Sequence, residues 1–160
     1  MQLEIFTTGG TIDKVYFDSK STFEVGEPQI VEVLREANLN IDYRVTSLMR
    51  KDSLEMDDTD RAQIRRAAQH SPAEHIVITH GTDTMIATAR ALVGIPGKTI
   101  VLTGAMQPAR FRSTDAVFNI ASAMMAAQIL SEGVFIAMNG RIFDPFMARK
   151  NVELNRFEDC

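Results

Sequence analysis

Cysteine is almost missing from this sequence. Of 160 residues, only Cys160 carries a thiol. That excludes an internal disulfide framework and a cysteine-based zinc site. An excess of positive charge is missing as well. The 17 Lys and Arg against 21 Asp and Glu leave a net charge of −4, which argues against a general nucleic-acid binder. No run reaches the ~20 apolar residues that a bilayer needs. The most apolar stretch, Phe118 to Leu130, is interrupted by Asn119, Ser122 and Gln128. The amino terminus has no basic segment ahead of an apolar run, so no secretory signal is expected. N-x-[ST] acceptors, low-complexity tracts and internal repeats are also absent. These absences lead to the expectation of a cytoplasmic protein that engages neither nucleic acid nor membrane.

What is present is the composition of an ordinary globular chain, 45% hydrophobic and 24% charged. The length suits a single domain with one sizeable core. A two-domain enzyme with its cleft between domains does not fit in it. A site is therefore expected on this domain or between subunits.

Gln2–Thr8 is β-rich and reads as a first strand, ended by Thr8-Gly9-Gly10-Thr11. Asp13–Gly26 has no sustained period and reads as a long loop or hairpin. Pro28 suits a first helical turn, after which Ile30, Val31, Val33, Leu34 and Ala37 keep a helical period. Ile41–Leu48 is a second strand. Asp57 or Asp58 is placed to cap a helix that Pro72 ends. His75–Thr79 and Thr99–Thr103 are short β-branched runs, the mark of buried strands. Between them a helix runs through Met85 to Val93. Ser113 or Thr114 is placed to cap a long helix with Ala116, Ile120, Ala123 and Ala127 inward. Val134–Met138 is a fifth strand, and the tail from Asn139 is polar with isolated Phe residues. Strand and helix alternate five times. That predicts an α/β fold of three layers, a flavodoxin-like or Rossmann-like parallel sheet in the order 2-1-3-4-5.

In that order the carboxyl ends of strands one and three meet at the switch point, where ligands bind. Thr7-Thr8-Gly9-Gly10-Thr11 follows strand one, and Thr79-His80-Gly81-Thr82-Asp83-Thr84 follows strand three. Glycines there, Gly10 and Gly81 among them, allow close backbone approach and leave N–H groups to hold an oxyanion. A threonine hydroxyl attacks as a nucleophile when a base takes its proton. Asp83 suits a substrate ammonium or a proton relay. The bland reading is a tight turn, with Thr82 or Asp83 capping the next helix. Gly94-Ile95-Pro96-Gly97-Lys98-Thr99 fails as a phosphate loop, because the first glycine is missing and it precedes a strand. His80 reads as a strand-end histidine bonded to backbone, and His70 and His75 as surface loop residues. Met124-Met125 reads as core filling. Arg61, Arg65 and Arg66 read as a solvated helix face, and Arg110 and Arg112 as lining either the site or a subunit contact.

At these residues the chain resembles the bacterial-type asparaginase family. Thr8–Ile12 (TGGTI) is similar to the family's first signature and His80–Met85 (HGTDTM) to its second. The likeness extends through Gly104–Pro108 (GAMQP) and Phe118-Asn119 to Met138-Asn139. It covers nearly the whole chain as the family's amino-terminal domain. Residues 1–160 are accordingly expected to be that domain alone, without the smaller carboxyl-terminal one. The resemblance implies hydrolysis of L-asparagine to L-aspartate and ammonia through an acyl-enzyme intermediate. Thr11 corresponds to the nucleophile. Thr82, Asp83 and Lys150 correspond to a Thr-Asp-Lys group. Ser53 corresponds to the serine that holds the substrate α-carboxylate, Asp83 to the contact with the α-ammonium, and the Ala105 carbonyl to a contact with the amide. The resemblance implies no cofactor, and no metal-ligand cluster is evident in the sequence. It also implies a homo-oligomer, a dimer or tetramer, and the Ser113–Leu130 helix is a candidate interface.

Three positions depart from the family pattern. Phe23 stands where a tyrosine precedes a Val-Gly pair, and Tyr16 is the nearby phenol able to replace it. Leu54 takes the place of a polar residue beside Ser53. The acidic residue lent by a neighbouring subunit has no evident source. Two rival readings follow, a catalytically weak or inactive asparagine- or aspartate-binding regulatory module, and an amidase acting on glutamine or another amide.

Overall fold

The computed structural model describes residues 1–17 and 22–160. Its centre is a six-stranded sheet. Strands β1 (Gln2–Gly9), β4 (Asp42–Lys51), β5 (His75–Thr79), β6 (Thr99–Thr103) and β7 (Gly133–Met138) run parallel in the order β4-β1-β5-β6-β7. This is the expected 2-1-3-4-5 arrangement, with one addition. The antiparallel strand β8 (Arg141–Phe143) extends the sheet beyond β7. Two hairpins lie outside it. β2 (Lys14–Phe17) pairs with β3 (Thr22–Val25), and β9 (Ala148–Asn151) with β10 (Arg156–Asp159). The first hairpin is one of the two forms expected for the Asp13–Gly26 segment. The second falls in what reads in sequence as a polar tail.

Each face of the sheet has its own core, which makes the three layers. On one side Phe6, Ile76, Ile78, Ile100 and Leu102 pack against α2 (Asp58–His70) and α3 (Met85–Leu92). Phe143 and Phe157 close the same core from β8 and β10. On the other side Leu3, Ile5, Val77 and Val101 pack against α1 (Ile30–Glu36) and α4 (Ala116–Ile129). Strands buried on both faces need continuous apolar, β-branched runs, which HIVIT and TIVLT supply.

Local chemistry sets the boundaries. Asp57 caps α2 in a reciprocal capping box with Asp60, satisfying two otherwise orphan amides. The cap of α4 is neither Ser113 nor Thr114 but Asp115. Its carboxylate is drawn inward to accept the Met106 and Gln107 N–H groups and the Asn119 side-chain amide. Thr114 Oγ1 still accepts the Ala116 N–H at 3.0 Å. The arginines of α2 are not simply solvated. Arg65 donates to the Ala91 and Val93 carbonyls at 2.6 and 3.2 Å, capping the end of α3. Arg61 pairs with Asp58. His75 opens β5 instead of lying in a loop, with Nδ1 2.6 Å from the Ala127 carbonyl. Met124 is buried as expected, whereas Met125 is exposed. Among the described residues no helix is long and apolar enough to cross a membrane.

Leu102, fully buried at the middle of β6, measures how tightly the central sheet is packed. Leu102→Ala is expected to cost about 2–5 kcal/mol of unfolding free energy in urea titration. A loss below about 1 kcal/mol would mean that the layer collapses freely around the gap.

Candidate active site

The two threonine turns touch. Gly10, at φ +86°, lies so close to Gly81 that a Cβ on it would sit 2.5 Å from the Gly81 Cα and N. A Cβ on Gly81 would sit 2.6 Å from the Ser53 Cβ and Oγ. Gly10, Gly81 and Ser53 therefore form a stack in which only hydrogens fit. The stack brings together the turns after β1 and β5 and the short 3₁₀ turn Ser53–Glu55 after β4. The Gly10 N–H donates to the Lys51 carbonyl at 2.9 Å. The oxyanion donor expected at Gly10 is thus already engaged, and Gly10 serves by close approach.

Thr11 opens a 3₁₀ turn, Thr11–Asp13, directly after this contact. Beside it is a cavity of about 280 Å³ lined by Thr11, Lys14, Phe23, Gln107, Pro108 and Phe111. Phe23 is in this wall. Tyr16 is not; its half-exposed ring rests on Phe23, with centroids 5.3 Å apart. Phe23 in turn meets Phe111 at 5.9 Å, and Lys14 pairs with Asp52 at 2.9 Å. The β2–β3 hairpin is thereby held on both flanks.

Thr82 and Asp83 do not cap α3, whose N-cap is Thr84. Both are engaged by Lys150. Its Nζ donates to Thr82 Oγ1 at 2.9 Å and to Asp83 Oδ1 at 2.6 Å. Thr82 is buried, whereas the Asp83 side chain is 44% exposed. Lys150 sits on β9 opposite Phe157 of β10. The Phe157 N–H donates to Asn139 Oδ1 at 2.9 Å, and Asn119 Oδ1 accepts the Asn139 N–H at 3.3 Å. The second hairpin, and with it the lysine, is fastened to the ends of β7 and α4 by two asparagines.

Ser53 is buried, and its hydroxyl has no hydrogen-bond partner among the described residues. Its carbonyl accepts the Thr84 hydroxyl at 2.7 Å, locking the Ser53 turn to the second motif. Ala105 is buried at the end of β6, and Leu54 is exposed. Arg110 donates to Gln29 Oε1 at 2.9 Å. Among the described residues no group of three or more His, Cys, Asp or Glu is placed to hold a metal ion.

Two buried titratable groups flank the threonines. His80 is fully buried, as a strand-end histidine should be. Its Nδ1 donates to the Gly81 carbonyl at 2.7 Å and its Nε2 accepts from Thr88 at 2.8 Å. Burial lowers its pKa to about 4, so the ring is neutral and its tautomer is fixed by the carbonyl. Asp13 is the residue that sequence reading passes over, as the start of a loop. Burial raises its pKa to about 7, against the lowering effects of its bond to the Gln29 N–H and of Arg50. The only signal was its place two residues beyond Thr11.

The comparisons with known proteins identify the family. The model of the family described as "Asparaginase, N-terminal" matches residues 2–157. The chain belongs to the asparaginase family. It is 32% identical over 151 residues to the "Probable L-asparaginase periplasmic" of Haemophilus influenzae, covering 88% of this chain and 43% of that one. Over 74 residues it is 49% identical to a glutamyl-tRNA(Gln) amidotransferase polypeptide of Methanococcus vannielii, covering 45% of this chain and 17% of the relative. The solved structure of the thermostable L-asparaginase from Thermococcus kodakarensis superposes with a TM-score of 0.87 at 27% identity, covering 99% of this chain and 51% of that one. The chain spans about half the length, or less, of the relatives it matches.

Two variants probe the packing and the buried groups of the site. Gly10→Ala forces a Cβ into the Gly81 backbone at a left-handed φ, and is expected to lower stability by about 2–4 kcal/mol in denaturant unfolding. The buried acid and histidine oppose each other in pH dependence. Between pH 6.5 and about 4 the unfolded chain protonates its His80 while the folded one does not, so stability falls as pH falls. Between pH 3.8 and about 7 the folded chain keeps the Asp13 proton that the unfolded one loses, so stability falls as pH rises. Asp13→Asn removes the second effect. Its stability is expected to climb from pH 4 to 6.5 more steeply than wild type, by about 1.4 kcal/mol per pH unit at most. Identical slopes in urea titrations would contradict a protonated buried Asp13.

Proposed function

We propose that this chain is an amidohydrolase that converts L-asparagine and water to L-aspartate and ammonia. The observation that carries the reading is the grip of Lys150 on Thr82 and Asp83 at 2.9 and 2.6 Å, across 68 and 67 residues of sequence. A merely structural turn does not need a mostly buried lysine there. Family membership supports the same reaction.

Thr11 is the nucleophile in this reading. Its Oγ1 bonds to the side-chain amide carbon, the carbonyl oxygen takes up negative charge, and the C–N bond breaks as the nitrogen gains a proton and leaves as ammonia. Water then adds to the acyl ester, aspartate leaves, and the threonine hydroxyl is restored. Thr82, Lys150 and Asp83 form one hydrogen-bonded chain through which protons are exchanged. The unpartnered Ser53 hydroxyl takes the α-carboxylate, and the exposed oxygen side of Asp83 takes the α-ammonium. The Ala105 carbonyl accepts from the substrate amide, and the Gly10–Gly81 contact keeps the two threonines in one crevice. No cofactor enters the scheme. Tyr16 is retained as the phenol that supplies a hydroxyl missing at Phe23.

The rival is an asparagine- or aspartate-binding module without turnover. Phe23 favours it, since a phenylalanine in the wall beside Thr11 has no proton to pass. Glutamine remains the alternative amide. The reading also takes the chain as a cytoplasmic homo-oligomer that engages no nucleic acid. α4 contains no charged residue, and Phe118, Met125 and Ile129 on its outer side are 61%, 55% and 72% exposed.

Ammonia release from asparagine and from glutamine decides between these readings. Thr11→Ala and Lys150→Met are each expected to lower kcat by about 10²-fold or more, and Thr82→Val similarly. Tyr16→Phe is expected to slow the reaction if its phenol acts. A wild-type chain inert toward both amides that still binds aspartate would establish the binding module instead.

A further inference from the structure

Asp13 has no part in the scheme above, yet it is 2% exposed and lies two residues beyond the proposed nucleophile. Three structural units converge on it. Its N–H donates to the Gly10 carbonyl at 3.2 Å, closing the turn that carries Thr11. Its carbonyl accepts the Gly26 N–H at 2.8 Å, closing the base of the β2–β3 hairpin. Its carboxyl Oδ1 accepts the Gln29 N–H at 2.8 Å, where Gln29 is the N-cap residue of α1. Gln29 is held from its other end by Arg110, and the Ile12 carbonyl accepts the Ala109 N–H at 3.0 Å. The turn is thus tied to the 105–115 segment as well.

A surface loop could close these turns with backbone alone. Burying a carboxyl to do so costs free energy unless the position demands it. We propose that Asp13 is a positioning residue for the proposed Thr11 nucleophile: its carboxyl fastens the Thr11 turn and the base of the β2–β3 hairpin to α1 as one unit. This rests on the amidohydrolase reading only for its effect on rate; the fastening itself does not.

The fastening depends on pH in a stated direction. Among the described residues, the charged groups on the elements around Asp13 are Arg50 on β4, which acts on it and is itself paired with Glu27 at 2.6 Å, Lys14 on β2, paired with Asp52, and Arg110, bonded to Gln29. None of them forms an ion pair with the carboxyl, and burial outweighs Arg50. Ionisation is therefore disfavoured while the clasp is closed, and a clasp opened to water ionises more readily. By linkage, raising pH toward about 7 shifts the balance toward the opened form.

Asp13→Asn and Asp13→Ala in the whole chain test this by two independent readouts. Asparagine keeps the acceptor for the Gln29 N–H and cannot titrate; alanine removes it. The first readout is NMR amide exchange at Gly26 and Gln29, corrected for the intrinsic rate. Protection is expected to drop about tenfold or more in the alanine variant and to survive in the asparagine variant. In wild type it is expected to weaken as pH rises from 5 to 8, and in the asparagine variant to stay level. The second is kinetic. Alanine is expected to lower kcat about tenfold to 10²-fold with KM little changed, because a displaced nucleophile loses alignment and not substrate contacts, and asparagine is expected to restore most of it. Unchanged protection in the alanine variant overturns the proposal. So does a kcat loss of the same size in both variants. If wild type hydrolyses neither amide, the amidohydrolase reading fails while the exchange readout still decides the fastening.

Discussion

The site depends on a contact that contains almost nothing. Gly10 meets the Gly81 backbone, and Gly81 meets Ser53, with no room for a Cβ on either glycine. Three chain segments, after β1, β4 and β5, are drawn within one side-chain width of each other. The parallel sheet brings those strand ends together at its switch point. The glycine stack then removes the last few ångströms. Thr11 and Thr82 each follow one of the touching glycines, so the placement of both hydroxyls is inherited from backbone packing. That is firmer support than side-chain packing gives, because the backbone here continues directly from β1 and β5.

Around this stack the polar groups divide by exposure. Lys150 and Asp83 form a pair whose carboxylate side chain is 44% exposed, where charge is tolerated. His80 and Asp13, one residue before and two residues after the touching turns, are buried and sit in bonds that neutral groups can make. Burial keeps His80 neutral above about pH 4 and lets Asp13 hold its proton up to about pH 7.

Much of the frame was legible in the sequence. HIVIT and TIVLT could hardly be anything but buried strands, and five alternations of strand and helix leave few topologies. The Thr-Gly and Gly-Thr-Asp turns, each alone compatible with a plain tight turn, stood out because both fall at the carboxyl ends of strands one and three. What escaped was either short or nonlocal. β8, β9 and β10 have three or four residues each, too few for a period, and their place is fixed by isolated Phe143 and Phe157 reaching into a core built elsewhere. The α4 cap had three suitable residues in a row, Ser113-Thr114-Asp115, and the choice was made by amides at 106 and 107 that no local pattern connects to it. Asp13 looked like a polar loop residue; its burial follows from Gly26 and Gln29 folding back over it. Arg65 looked solvated until the end of α3 was there to receive it.

The position of Lys150 in the chain has a consequence for how the protein comes into being. The sheet that unites Thr11 and Thr82 is complete in its parallel strands by Met138, so its crevice can form as soon as that stretch is available. The lysine arrives afterward, on a hairpin whose seat, Asn139 and the core around Phe143, exists only once β7 is in place. The same late segment that carries Lys150 also brings Phe143 and Phe157 into the core, so the lysine and part of the packing of that layer are supplied together.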